Sequence, residues 1–220
     1  MDSMQREEPE TITLVLADDH PVAREGVRSM LAKAADIRII GEAQDGNEAM
    51  GLVASLQPRI LLLDLKMPGI PSFEVERWVR ENHPETVTLV LTAHDRDVYP
   101  AAMMDAGAAG YLSKAERAEN LIEAIRRAAH GGSVFTAEQI ERVKKWRRGA
   151  AGKWEKLTER EHQVLRLLAQ GWSNRQIAEE LGVARKTVAC HVSTILDRLE
   201  VESRQKAVAW LREYFPDEPE

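Results

Sequence analysis

Over residues 11–132, short apolar runs alternate with stretches in which apolar residues recur every three or four positions. The run at 12–17 is followed by Val22, Val27, Met30 and Leu31 at helical spacing. Residues 37–40 read as a strand, and Ala49, Leu52, Val53 and Leu56 as one face of a helix. A third run at 60–63 precedes Val75, Trp78 and Val79 on a helix, and a fourth at 87–91 precedes a helix around 98–106. Tyr111 and Leu112 lie in a short fifth strand. Leu121, Ile122, Ile125 and Ala128 mark a fifth helix that stops at Gly131-Gly132. Five strands alternating with five helices predict an α/β domain over 11–132, a parallel sheet covered on both faces.

The pattern then breaks. In 133–155, Lys144, Lys145, Arg147 and Arg148 surround Trp146 and precede Gly-Ala-Ala-Gly, which predicts a basic helical arm running into a flexible linker. Beyond Leu157 the spacing is helical throughout, so 156–215 is expected to be a small all-α domain. Thr158-Glu-Arg-Glu161 and Ser173-Asn-Arg-Gln176 each have the form of a capping box. Val164, Leu165, Leu167 and Leu168 follow the first, and Ile177, Ala178 and Leu181 the second. Gly182 supplies a turn, a helix runs over 185–199, and a last one over 204–214 stops before Pro216.

Charge sharpens this division. The chain of 220 residues carries a net −6. Residues 11–132 hold 13 basic and 18 acidic groups (−5), 133–152 hold 5 and 2 (+3), and 153–215 hold 11 and 9 (+2). An acidic first part and a basic second part point to different partners. The single cysteine, Cys190, excludes an internal disulfide and a cysteine-rich zinc site. No apolar run is long enough for a membrane span, and the acidic first ten residues lack a secretory signal, so a cytoplasmic location is expected.

The residues with chemistry sit just after predicted strands: Asp18 and Asp19 after the first, Asp64 after the third, Thr92 at the fourth and Lys114 after the fifth. In a doubly wound sheet the carboxyl ends of the strands form the ligand crevice, so these five converge. Three carboxylates repel one another unless a cation joins them, and a hard ion such as Mg²⁺ takes oxygen ligands. A lysine and a hydroxyl beside them would hold phosphoryl oxygens. A lone aspartate after a strand is usually a turn residue or cap; five such residues at matching ends are not explained that way.

The segments LVLADDHPVAREGVRSML, ILLLDLKMPG, LTAHDRD and GAAGYLSKA resemble a bacterial response-regulator receiver domain over 11–132. The resemblance implies a flavodoxin-like fold with Asp64 as phosphoacceptor. It implies Asp19 as a direct Mg²⁺ ligand, Asp18 largely through water, and the backbone carbonyl of Lys66 as a further ligand. Thr92 and Lys114 would hold the phosphoryl group, and Tyr111 occupies the switch-aromatic position. Two positions depart from the pattern. Pro71-Ser72 stand where Asp-Gly is usual, and Ala115 stands where many receivers have a cis proline.

Residues 176–188 have the spacing of a helix-turn-helix, with the small Ala178 at the helix crossing and Gly182 in the turn. A helical hairpin of another bundle would show part of this pattern. The longer stretch LTEREHQVLRLLAQGWSNRQIAEELGVARKTVACHVSTILDRLEVESR resembles the LuxR-type four-helix DNA-binding domain, and the two parts together resemble the NarL/FixJ class of response regulators. By that resemblance Lys186, Thr187 and His191 touch DNA, chiefly its backbone, and Asn174 and Arg175 meet phosphates. The outward positions that often carry long polar side chains are here Ala189, Cys190 and Ser193. Base readout is therefore expected to be sparse or to shift to Arg185 and DNA shape. Trp146 and Trp172 are expected to pack rather than stack on bases.

These readings imply a two-component transcription regulator, not an enzyme. By the resemblance, a sensor histidine kinase, or a small phosphodonor, would phosphorylate Asp64, and the phosphorylated chain is expected to form a homodimer on double-stranded DNA, with RNA polymerase a candidate partner. The last helix, with Val208 and Leu211 on one face and Trp210 close by, is expected to supply the dimer contact. A phosphohydrolase with an aspartate nucleophile would need a second acid two residues on, where Lys66 stands. The remaining alternative is a phosphorylation-independent DNA-binding regulator whose receiver dimerises or binds a ligand.

Overall fold

The computed structural model describes residues 11–93 and 98–215, and the chain divides into two compact units after Ile140. The acidic first ten residues, positions 94–97 of the LTAHDRD segment and Pro216 lie outside the described residues.

In the first unit, strands β1 (Ile12–Ala17), β2 (Ile37–Ala43), β3 (Ile60–Leu63), β4 (Val87–Thr92) and β5 (Gly110–Ser113) form one parallel sheet in the order β2-β1-β3-β4-β5. The intervening helices are α1 (Pro21–Leu31), α2 (Gly46–Leu56), α3 (Ser72–Asn82), α4 (Val98–Ala106) and α5 (Ala118–Ala129). This is the flavodoxin-like order, with its reversal between β1 and β3. Because strand side chains alternate in direction, the sheet carries two apolar layers. Leu14, Leu16, Ile60, Leu62 and Leu89 pack on one side with Val27, Leu121 and Ile125. Val15, Leu61, Leu63 and Val90 pack on the other with Val53, Val75, Val79 and Met103. The four residues of β3 are wholly buried, as a central strand covered on both faces requires.

The first unit extends beyond Gly132, where the sequence pattern places its end. The Val134 amide donates to the Ala109 carbonyl (2.8 Å), and the Gln139 side-chain amide donates to the Tyr111 carbonyl (2.9 Å). Val134 and Phe135 each pack on an apolar layer. This strap lies so close to β5 that a Cβ at Gly110 would come within 2.5 Å of Val134 Cβ.

In the second unit, α6 (Ala137–Trp146), whose first residues belong to the first unit, runs into a π-helical segment, Arg147–Ala151, and then α7 (Gly152–Glu155). The Gly-Ala-Ala-Gly stretch, expected to be flexible, is thus helical. Ala150 is buried, and Trp154 joins the core of this unit, stacked on His162 with ring centroids 4.0 Å apart. Residues before 156 thus pack on the core of the second unit. Helices α8 (Glu159–Ala169), α9 (Asn174–Glu180), α10 (Arg185–Leu199) and α11 (Arg204–Tyr214) enclose Val164, Leu165, Ile177, Val188, Ile195 and Leu199. Both capping boxes form, on Thr158 with Glu161 and on Ser173 with Gln176. The buried Glu161 also pairs with Arg198 of α10.

Candidate functional site

The strand ends bring the acidic residues together as the spacing predicts. The Asp18 amide donates to Ala43 at the end of β2 (3.0 Å), and the Asp64 amide donates to Ala17 at the end of β1 (2.8 Å). The Lys114 amide donates to the Thr92 carbonyl (2.8 Å). These ladder bonds set the side chains side by side. Lys114 Nζ lies 2.8 Å from Asp64 Oδ2 and 2.8 Å from Asp18 Oδ2, bridging two carboxylates that are almost fully buried. Burial pushes the Asp64 carboxyl above its ordinary pKa, and the Lys114 ammonium offsets part of that rise. Burial opposes the charge on Lys114 too, but its bonds to Asp18 and Asp64 outweigh it, so the ammonium is held above its usual range.

Asp18, Asp19, His20 and Asp64 bring one potential ligand atom each within 4.8 Å of one another. Asp18 Oδ1 accepts from the His20 amide (2.9 Å), so both of its oxygens are engaged. Asp19 differs. Its Oδ1 is buried and lies 2.7 Å from Nδ1 of the exposed His20 ring. A buried carboxylate oxygen facing a surface imidazole, beside two more carboxylates, is the donor chemistry that a hard divalent cation takes.

Thr92 is 1% exposed at the end of β4. Lys66 is exposed, its ammonium 5.5 Å from the Tyr99 ring centroid. Tyr111, at the switch-aromatic position, is buried in this structure, in the same apolar layer as Tyr99 and Met103. Two residues of the site were not foreseen. His20 sits against Asp19. Ser72, part of the departure after Gly69, is buried, and its hydroxyl lies 2.8 Å from the Asp64 carbonyl and 2.7 Å from that of Leu65. The serine thus anchors the backbone that carries Asp64. Only its position at the start of a helix hinted at a hydrogen-bonding role.

In the second unit, Leu181 ends α9 and Gly182 takes a φ of +65°, which a glycine adopts without strain. Val183 then donates back to the Ala178 carbonyl (3.0 Å), and Ala184 opens α10 without a side-chain cap. Arg185, Lys186 and Thr187 are exposed on the first turn of α10, and His191 is half-buried. Arg175 is exposed but paired with Glu179 (2.9 Å). Asn174 is half-buried, and its Oδ1 lacks a hydrogen-bond partner. Ala189, Cys190 and Ser193 are exposed. Trp172 packs on the core of this unit, and Trp146 lies against Phe215. On α11 the expected face is split. Leu211 is a core residue, 4% exposed, whereas Val208 is half-buried beside the exposed Gln205, Ala209 and Arg212. Leu211 is thus committed to closing the helical core and is not available to a partner.

The family model of the response regulator receiver domain matches residues 14–126, and that of the luxR family of bacterial regulatory proteins matches residues 155–211. The response regulator VraR of Staphylococcus aureus is 36% identical over 202 residues, 91% of this chain and 96% of its own. The receiver domain of NarL from Mycobacterium tuberculosis is 35% identical at a TM-score of 0.54, covering 56% of this chain and 99% of its own. RcsB of Salmonella typhimurium superposes at a TM-score of 0.67 over 91% of this chain and 99% of its own, at 23% identity, a likeness of fold. Such proteins are transcription regulators rather than enzymes. The chain belongs to the two-component response regulators, joining a receiver domain to a DNA-binding domain of the luxR type.

Proposed function

We propose that this regulator is switched by phosphorylation of Asp64. The observation that carries the reading is the Lys114 ammonium bridging Asp64 and Asp18 at 2.8 Å each, with the buried Asp19 oxygen in the same cluster. Asp64 attacks the phosphorus of a phosphohistidine on a sensor kinase, or of a small acyl phosphate. The bond from phosphorus to the donor breaks as the acyl phosphate forms. Lys114 leaves its carboxylate partner to pair with the phosphoryl charge, and the Thr92 hydroxyl donates to a phosphoryl oxygen. Asp18, Asp19, Asp64 and the Lys66 carbonyl would hold Mg²⁺, which supplies neutralisation of the phosphoryl charge. Thr92 and Tyr111 carry the switch to the receiver surface.

In this reading the receiver occupies 11–132 with its strap beyond, 133–155 is the basic helical connection, and 156–215 is the DNA-binding domain. Asn174, Arg175, Arg185, Lys186, Thr187 and His191 contact double-stranded DNA. RcsB has been solved in complex with DNA. A single recognition helix reads only a few base pairs, so the phosphorylated chain works as a homodimer on two half-sites, through the exposed side of α11 around Val208. It acts in the cytoplasm, with RNA polymerase as the downstream partner.

The test is incubation of the full chain with acetyl phosphate and Mg²⁺. Acid-stable, base-labile phosphate should appear on the chain and be absent from Asp64→Asn, whose amide is isosteric. Stoichiometric labelling of that variant at another carboxylate would overturn the assignment. Unchanged dimerisation and DNA affinity after labelling would favour the phosphorylation-independent alternative.

A further inference from the structure

The outer surface of α10 has a chemistry of its own. Val188, Ile195 and Leu199 are fully buried and fix the side of the helix that faces the core. Each residue advances about 100° around the axis. Lys186, Cys190, Ser193 and Asp197 therefore line the side away from the core, with Ala189 at its margin, and all five are exposed. The first turn carries the cations Arg185 and Lys186, suited to phosphates, which fix register but carry no sequence information.

The middle of the surface is unlike its rim. Ala189 ends in a methyl group and Cys190 in a thiol. Neither makes the bidentate bonds by which arginine reads guanine or asparagine and glutamine read adenine. The Ser193 hydroxyl bonds donors and acceptors alike, so it discriminates little. The Thr194 hydroxyl is turned back onto the Cys190 carbonyl (3.1 Å). Against a short apolar surface of this kind the major groove offers one complementary group, the C5 methyl of a pyrimidine.

Resting on the reading of α10 as the recognition helix, we infer that Ala189 and Cys190 determine specificity by packing on pyrimidine 5-methyl groups, those of thymine in an unmodified site. The first-turn cations supply a hold indifferent to sequence. The preferred half-site then carries thymine at the positions opposite the second turn of α10.

Duplexes enriched from a random library by the full chain, treated with acetyl phosphate and Mg²⁺ and kept reduced, give the probe. Each is resynthesised with uracil for thymine, which removes only the methyl group. Affinity should fall about fourfold per contacted methyl, the factor equivalent to about 0.8 kcal/mol for one buried carbon. At the same position a 5-methylcytosine–guanine pair should bind more tightly than an unmethylated cytosine–guanine pair, which separates the methyl from the rest of the base. Cys190→Ser, an exposed and nearly isosteric change, should shrink the thymine–uracil difference while leaving the melting temperature and salt dependence as they are. Equal affinity for thymine and uracil duplexes overturns the inference and leaves DNA binding intact. So does a thymine–uracil difference that survives in full in Cys190→Ser. Failure to bind any duplex overturns the proposed function with it.

Discussion

Replacing Glu76 with glutamine tests the energetics of the receiver core. Glu76 lies on α3 at 4% exposure, and its Oε2 is buried without a hydrogen-bond partner. Burial pushes its carboxyl from 4.5 up to about 7, against the opposing pull of the Thr88 hydroxyl and the Arg80 guanidinium. The folded protein thus holds this proton more tightly than the unfolded chain. The stability that Glu76 contributes is complete below pH 4.5 and is lost as the pH rises to about 7. A shift of this size corresponds to roughly 3 kcal/mol in total, of which about 2–3 kcal/mol falls between pH 5 and 8. Glu76→Gln cannot ionise. Urea unfolding of the receiver transition, followed at both pH values, should show the wild type losing that much more stability than the variant. The absolute offset at pH 5 is a separate matter, because a buried amide has its own unmet donors. If the two proteins keep the same difference at pH 5 and pH 8, Glu76 titrates like an exposed carboxyl and the reasoning fails.

Asp19→Ala should weaken Mg²⁺ binding more than Asp18→Ala in a calorimetric titration, because both Asp18 oxygens are already engaged, by the His20 amide and the Lys114 ammonium, whereas Asp19 Oδ1 faces the exposed His20 ring; a reversed order would refute the ranking. Ser72→Ala should lower receiver stability by about 1–3 kcal/mol in urea, by leaving the Asp64 and Leu65 carbonyls without their buried donor; an unchanged midpoint would show that the hydroxyl holds nothing. Lys186→Ala should weaken binding to all DNA sequences alike and reduce the salt slope by about one; a loss confined to one sequence would make it a base contact.

The five strand-end residues were legible because a parallel sheet converts regular spacing along the chain into proximity in space. Asp18 and Asp64 stand 46 positions apart, yet Lys114 touches both. The helix-turn-helix was legible for a local reason, since caps, a glycine turn and apolar spacing all act within a few residues. What escaped depended on distant partners. Glu76 reads as one more charge on an amphipathic helix until β4 is laid against it. Ser72 reads as a departure from a pattern until its hydroxyl meets the Asp64 carbonyl. Val208 and Leu211 share a face by spacing, but only the packing of α8 and α10 decides that Leu211 belongs to the core. The 149–152 stretch looked flexible because two glycines lower helix propensity, yet neighbouring packing outweighs a cost of about 1 kcal/mol for each.

The strap over β5 decides where chimaeric regulators can be joined. A fusion that ends the receiver at Gly132 removes Val134 and Phe135 from the two apolar layers and bares the surface of Gly110. It also strips the Ala109 and Tyr111 carbonyls of the donors supplied by Val134 and Gln139. The loss of half-buried apolar area alone is on the order of 2 kcal/mol, a large share of the stability of a domain this size. Swaps that keep residues up to Ile140 with the receiver preserve those contacts, whichever output domain is attached.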